Sequence, residues 1–97
     1  MKMYDARITW VSADEGGRKV IPTSDNIYCP FIVVGNQPFD PQKDLWSVQV
    51  MNNEQLGHLE TSATLHFLSE KAPFDLKSGD QIKLYEGNKL VANGIIL

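Results

Sequence analysis

Gln81-Ile82-Lys83-Leu84-Tyr85-Glu86-Gly87-Asn88-Lys89-Leu90-Val91-Ala92-Asn93-Gly94-Ile95-Ile96-Leu97 is the stretch that decides the fold. Its first part alternates, placing Ile82 and Leu84 on one side of an extended chain, because side chains two apart share a strand face. Gly87-Asn88 then reads as a two-residue hairpin turn, since both residue types accept positive φ at small steric cost. Lys89–Leu97 returns as an apolar strand. Ile95-Ile96-Leu97 would be costly to leave in water, so this end is expected to dock in a sheet.

The same period of two recurs upstream. In Tyr4–Val11, Tyr4, Ala6, Ile8 and Trp10 oppose Asp5, Arg7 and Thr9. Tyr28–Val34 is β-branched and aromatic, reading as a buried strand in which Pro30 marks an edge or a bulge. Leu45–Met51 places Trp46, Val48 and Val50 on one core face, and Thr61–Leu68 sets Ala63, Leu65 and Phe67 against Thr64 and His66. Turn chemistry separates these runs: Asp14–Lys19 with its glycine pair, Pro22–Asn26, Gly35–Asp44 with Pro38 and Pro41, Asn52–Gly57, and Ala72–Asp80. No window sustains the apolar spacing of an amphipathic helix. About six strands on short turns predict an all-β domain over residues 1–97, a barrel or a sandwich, and closure into an antiparallel barrel would leave no sheet edge free.

The chain's 97 residues suit one domain, and 42% hydrophobic residues supply a core without a metal or disulfide. Cys29 is the single cysteine, so no intramolecular disulfide can form, which fits a reducing compartment. Met1–Arg7 lacks the apolar core of a secretory leader, and no apolar run approaches a membrane-spanning length. A cytoplasmic location is therefore expected. The net charge of -3 and the interleaving of Lys71, Lys77, Lys83 and Lys89 with Glu70, Asp75, Asp80 and Glu86 argue against DNA binding. Duplex binders carry a basic stripe, because phosphate contacts dominate their affinity.

Motifs for chemistry fail on inspection. Gly16-Gly17 is followed by Arg18-Lys19-Val20 rather than the Gly-Lys-Ser/Thr that opens a phosphate-loop helix. His58-Leu59-Glu60 resembles the His-x-Glu of zinc deaminases but lacks the paired cysteines that complete their metal site. His58 and His66 offer two nitrogens with no third ligand at recognisable spacing. Cys29 sits in an apolar run, where a cysteine behaves as a small hydrophobe, and no serine lies in a nucleophile elbow. The expectation is a binding protein with no catalytic residue, cofactor or metal. Most aromatics fall on inward alternations; Phe39, in the proline-flanked Gly35–Asp44 loop, is the one expected to be exposed and to mark an interface.

Two segments carry a resemblance. Ser12-Ala13-Asp14-Glu15-Gly16-Gly17-Arg18-Lys19 resembles the Ser-Lys-Glu-Glu-Gly-Gly-Arg segment that opens the third domain of elongation factor Tu. Leu84–Gly94 resembles that domain's closing Arg-Glu-Gly-Gly-Arg-Thr-Val-Gly-Ala-Gly hairpin, at matching order and separation, so the likeness spans nearly the whole chain. It implies a closed barrel of six strands, with Arg18, Glu86 and Gly87 at positions near the tRNA backbone. The chain departs from the family's Gly-Tyr-Arg-Pro-Gln-Phe, having Asn26-Ile27-Tyr28-Cys29-Pro30-Phe31, and it carries neither the GTPase domain nor the second barrel. Elongation-factor activity is therefore not expected. The functional expectation is a protein-binding module of immunity, adaptor or regulatory type, with Arg18, Phe39, Glu86 and Gly87 as candidate contacts. The alternative is a module that binds the T stem of tRNA.

Overall fold

The computed structural model describes residues 2–17, 27–35, 38–40, 42 and 46–97. Within them the alternations become six strands: β1 (Tyr4–Trp10), β2 (Phe31–Val34), β3 (Val48–Gln55), β4 (Glu60–Phe67), β5 (Gln81–Glu86) and β6 (Lys89–Ile96). The helical content of the described residues is one 3-10 turn, Ala13–Glu15. All pairings are antiparallel, in one sheet of order β2-β5-β6-β1-β4-β3. Consecutive strands make the hairpins β3–β4 and β5–β6, while β1 lies between β4 and β6 and so joins the first strand to the last.

The closed barrel expected from the sequence is not reached. β2 and β3 are the two ends of the strand order. Across that gap run isolated bridges, Tyr28 to Val50 and Phe31 to Ser47, rather than a ladder. Main-chain N–H groups of Ile32, Val48 and Val50 donate to the carbonyls of Trp46, Pro30 and Tyr28 at 2.9, 3.2 and 2.8 Å. Pro30 faces Val48 in this register, where it accepts a bond but has no N–H to return one. The ring thus breaks the ladder where it would close. Gly35, at φ 99, then ends β2 after four residues.

The core follows the period of two. Ala6, Ile8 and Trp10 of β1 meet Val48 and Val50 of β3, Ala63 and Leu65 of β4, and Ile82 and Leu84 of β5. Each fully buried Val, Leu or Ile contributes about 1.5–3 kcal/mol. One polar chain crosses this interior: Trp10 Nε1 donates to Thr61 Oγ1, which donates to Asn52 Oδ1, both at 2.9 Å. Gly94 lies between Ile8 and Ile82 in register, and a Cβ there would come within 2.8 and 3.0 Å of those two side chains.

Three local expectations are corrected. Asn52–Gly57 is not a turn; β3 runs on to Gln55, with Asn53 as the extra residue of a bulge between Asn52 and Glu54. Pairing with β4 outweighs the turn propensity of that polar run. Trp46 is half-buried rather than wholly enclosed, packed against the core from just before β3. Cys29 is exposed, because Tyr28 and Pro30 take the inward positions on either side of it.

Candidate functional site

Glu86 and Gly87 form the tip of the β5–β6 hairpin, where Glu86 pairs with Lys89. Gly87 has φ 60 and no other described residue but glycine has positive φ, so Asn88 does not. That sign pattern belongs to a type II′ turn, whose twist matches the flanking strands. A bulge between Leu84 and Tyr85 brings Tyr85 opposite Leu90 on one side and Phe31 of β2 on the other.

Phe31 and Tyr85 stand on the side of the β2–β5 pair away from the main core. Phe39 lies against both, with centroids 5.9 Å from Phe31 and 4.9 Å from Tyr85 and planes inclined by 30°. Phe39 is accordingly half-buried, not the free loop aromatic expected from its proline-rich surroundings. Val33, on the same side, is fully buried. This small second cluster roofs the outer face of β2 and β5, an arrangement common under long connections.

Glu86 is also engaged. It accepts a hydrogen bond from the Tyr28 hydroxyl, and the Tyr28 ring packs 5.8 Å from Trp10. The tip is thereby tied to the segment that precedes β2. Arg18 lies outside the described residues, but its neighbour Gly17 does not. Gly17 donates its N–H to the Ser12 carbonyl at 2.8 Å, and Val11 donates to the carbonyl of Val91 near the start of β6 at 2.9 Å. Phe39, Glu86 and Gly87 therefore meet at one end of the sheet, and the Gly16-Gly17 turn hangs from the same end. Ile27, 81% exposed, adds an apolar side chain there beside Tyr28.

Sequence reasoning missed the Phe31–Phe39–Tyr85 stack and the Tyr28–Glu86 bond. The available signal was Tyr28–Val34 itself, a strand apolar on both faces, which requires cover on its outer side. At the opposite end, Phe67 and Phe74 stack at 5.4 Å, while Tyr4 meets Phe67 and Trp46 meets Phe74 edge-on at 6.5 Å. A pocket of about 390 Å³ opens beside Tyr4, Phe67, Phe74 and Glu70. Lys2 Nζ bonds Asp75 Oδ1 at 2.9 Å at its rim; that hydrogen bond and charge raise the Lys2 pKa and lower that of Asp75.

His58 sits in the turn before β4 and His66 near the far end of that strand, so the two do not converge. Among the described residues no group of three metal-ligating side chains gathers, and no helix is long and apolar enough to cross a membrane. No protein-family model, curated protein or solved structure matches the chain.

Proposed function

We propose that this chain is a non-catalytic module that binds another protein through the hairpin end of its sheet, as an immunity, adaptor or regulatory protein. The carrying observation is the aromatic stack of Phe31, Phe39 and Tyr85 beside a hairpin tip tied by Tyr28, whose chain neighbour Ile27 stands 81% exposed. Rigid aromatic side chains at a preorganised edge lose little conformational entropy on binding, which is why interfaces favour them. The acidic balance of the chain supports a protein partner over a polyanion.

The same reading makes the domain a relative of the third domain of elongation factor Tu whose sheet stays open, with isolated bridges from Tyr28 and Phe31 to β3 where that family's barrel would close. A cytoplasmic location goes with it. The test is quantitative capture from the source lysate by wild type, Ile27→Asp and Phe39→Ala. A partner held by wild type and lost by Ile27→Asp supports the proposal; partners indifferent to both substitutions overturn it.

One observation favours the tRNA alternative: the Val11–Val91 bond hangs the glycine turn at the hairpin end, the pair of segments the resemblance assigns to the T stem. With one or two phosphate contacts the logarithmic salt slope would be about -1 to -2. Binding to tRNA measured at two salt concentrations, for wild type and Arg18→Ala, decides it. We expect no binding even at low salt.

A further inference from the structure

Antiparallel register places the outward side chains of four strands in rows. One row runs Lys83, Asn93, Thr9, Glu60 across β5, β6, β1 and the start of β4; the next runs Gln81, Ile95, Arg7. These rows border an open groove of about 510 Å³ on the face away from the core. Its charges are not balanced. Arg7 Nη2 bonds Glu60 Oε2 at 2.7 Å, which satisfies the one carboxylate among the described residues that line the groove. Lys83 is half-buried and its ammonium has no ion-pair or hydrogen-bond partner among the described residues.

The neutral side chains point the same way. Thr9, Gln81 and Asn93 also make no side-chain hydrogen bond among the described residues. On the β3 side of the sheet Asn53 bonds Thr64 and Gln55 bonds the Gly57 carbonyl, while Gln49 and Ser62 are as unpartnered as the groove residues among the described residues; what sets the groove apart is that its unpartnered groups gather beside Lys83. A guanidinium has five N–H donors, so Arg7 retains donors beyond the one on Glu60. Among the described residues the groove thus presents a net positive charge and a concentration of uncommitted donors, on a chain whose overall charge is -3.

We infer that this groove binds an extended segment of a partner protein by a side-chain carboxylate, received by Lys83 with Asn93 and Thr9 at its flanks. This inference rests on the protein-binding reading and gives that reading a second, polar surface and a partner chemistry. The carboxylate answers the one unpaired cation, and charge-assisted hydrogen bonds to it are the strong ones. Polynucleotide is disfavoured, because one net positive charge cannot hold a run of phosphates against salt.

The experiment is a nitrogen-15 NMR titration of the full chain with a blocked hexaglutamate peptide, with hexalysine and oligouridine as parallel arms. Hexaglutamate is expected to shift the amide signals of Lys83, Asn93 and Ile95, and hexalysine to leave them in place. Lys83→Gln, a substitution on the sheet surface, should retain a dispersed spectrum and weaken binding by roughly tenfold. No shift at these residues, equal shifts with hexalysine, stronger binding of oligouridine, or unaltered affinity in Lys83→Gln would each overturn the inference. Hexaglutamate shifts confined to Tyr85–Leu90 would overturn the groove while leaving the hairpin-end proposal standing. Loss of capture in Ile27→Asp with hexaglutamate binding retained separates the two surfaces in the other direction.

Discussion

Gly16 and Gly17 are adjacent and constrained for different reasons. Gly16 has φ 92 with open space around it, so a side chain there meets backbone strain but no neighbour. A Cβ on Gly17 would lie 1.9 Å from the Val11 carbonyl oxygen, which is main chain and cannot swing away. Gly16→Ala should cost about 1–2 kcal/mol, and Gly17→Ala clearly more, read as urea midpoints. Equal effects would mean that the turn does not pack on Val11. Gly94→Ala should cost about 1–3 kcal/mol, because the Ile8 and Ile82 chains that must move are themselves enclosed. At Glu86, the bond from Tyr28 is to a charged acceptor, so Tyr28→Phe should destabilise by about 1.5 kcal/mol while leaving the strand pairing intact. This also shows what a single residue's sequence position conceals. Phe39 is legible as a loop aromatic, but its partners Phe31 and Tyr85 lie on separate strands, and only the β2–β5 register brings them under it.

Elements whose side chains alternate cleanly were the readable ones, β1 among them although its partners β4 and β6 lie far along the chain. The β5–β6 hairpin needs only alternation and a glycine turn, and its observed bounds match the expected ones within a residue. The far half of β3 was hidden, because Asn52-Asn53-Glu54 has turn composition and gains its strand only from β4. Its anchor is the chain from Trp10 through Thr61 to Asn52. Thr61→Val keeps the shape but removes the acceptor of the buried Trp10 N–H, and the expected loss is about 1–3 kcal/mol in denaturant. Stability unchanged from wild type would mean that water reaches Trp10. Trp46→Ala should cost about 2 kcal/mol, short of the 3–5 kcal/mol of a fully enclosed aromatic, since Trp46 only leans on the core and on Phe74.

For the molecule as a whole, the distance between an open sheet and a barrel comes down to the missing N–H of Pro30 and two bridges. The expected closure failed at a place sequence reasoning could not locate, because it depends on the register between segments that the chain joins through a long connection. The exposed Lys2–Asp75 pair ties the start of β1 to the loop before β5, and its effect on stability depends on pH. Asp75 is shifted down by the Lys2 hydrogen bond and charge, so its contribution is present above its unfolded-state pKa and is lost as pH falls through the folded-state value. Lys2 is shifted up, so its contribution is present below its unfolded-state pKa and is lost as pH rises through the folded-state value. Thermal midpoints of wild type and Lys2→Met should therefore differ by a small, constant amount between those limits, converge at either extreme, and converge in high salt. A difference that persists in strong acid would place its origin in packing rather than charge.

The pairing of β1 with β6 has a mechanical consequence. Ala6 faces Ile96, and the Leu97 N–H bonds the Asp5 carbonyl, so the two outermost strands of the chain start and finish at the same end of one antiparallel ladder. Tension applied through residues 2 and 97 pulls those ends apart across the ladder instead of along it. The hydrogen bonds run perpendicular to the strands and would be loaded one after another, like a zipper. Stretched by its ends, the domain should yield at low force in a single opening event. Tethers moved to residues 2 and 89, at opposite ends of that ladder, would load the same bonds together in shear and raise the rupture force. Equal forces in the two geometries would show that the β1–β6 ladder is not what resists the pull.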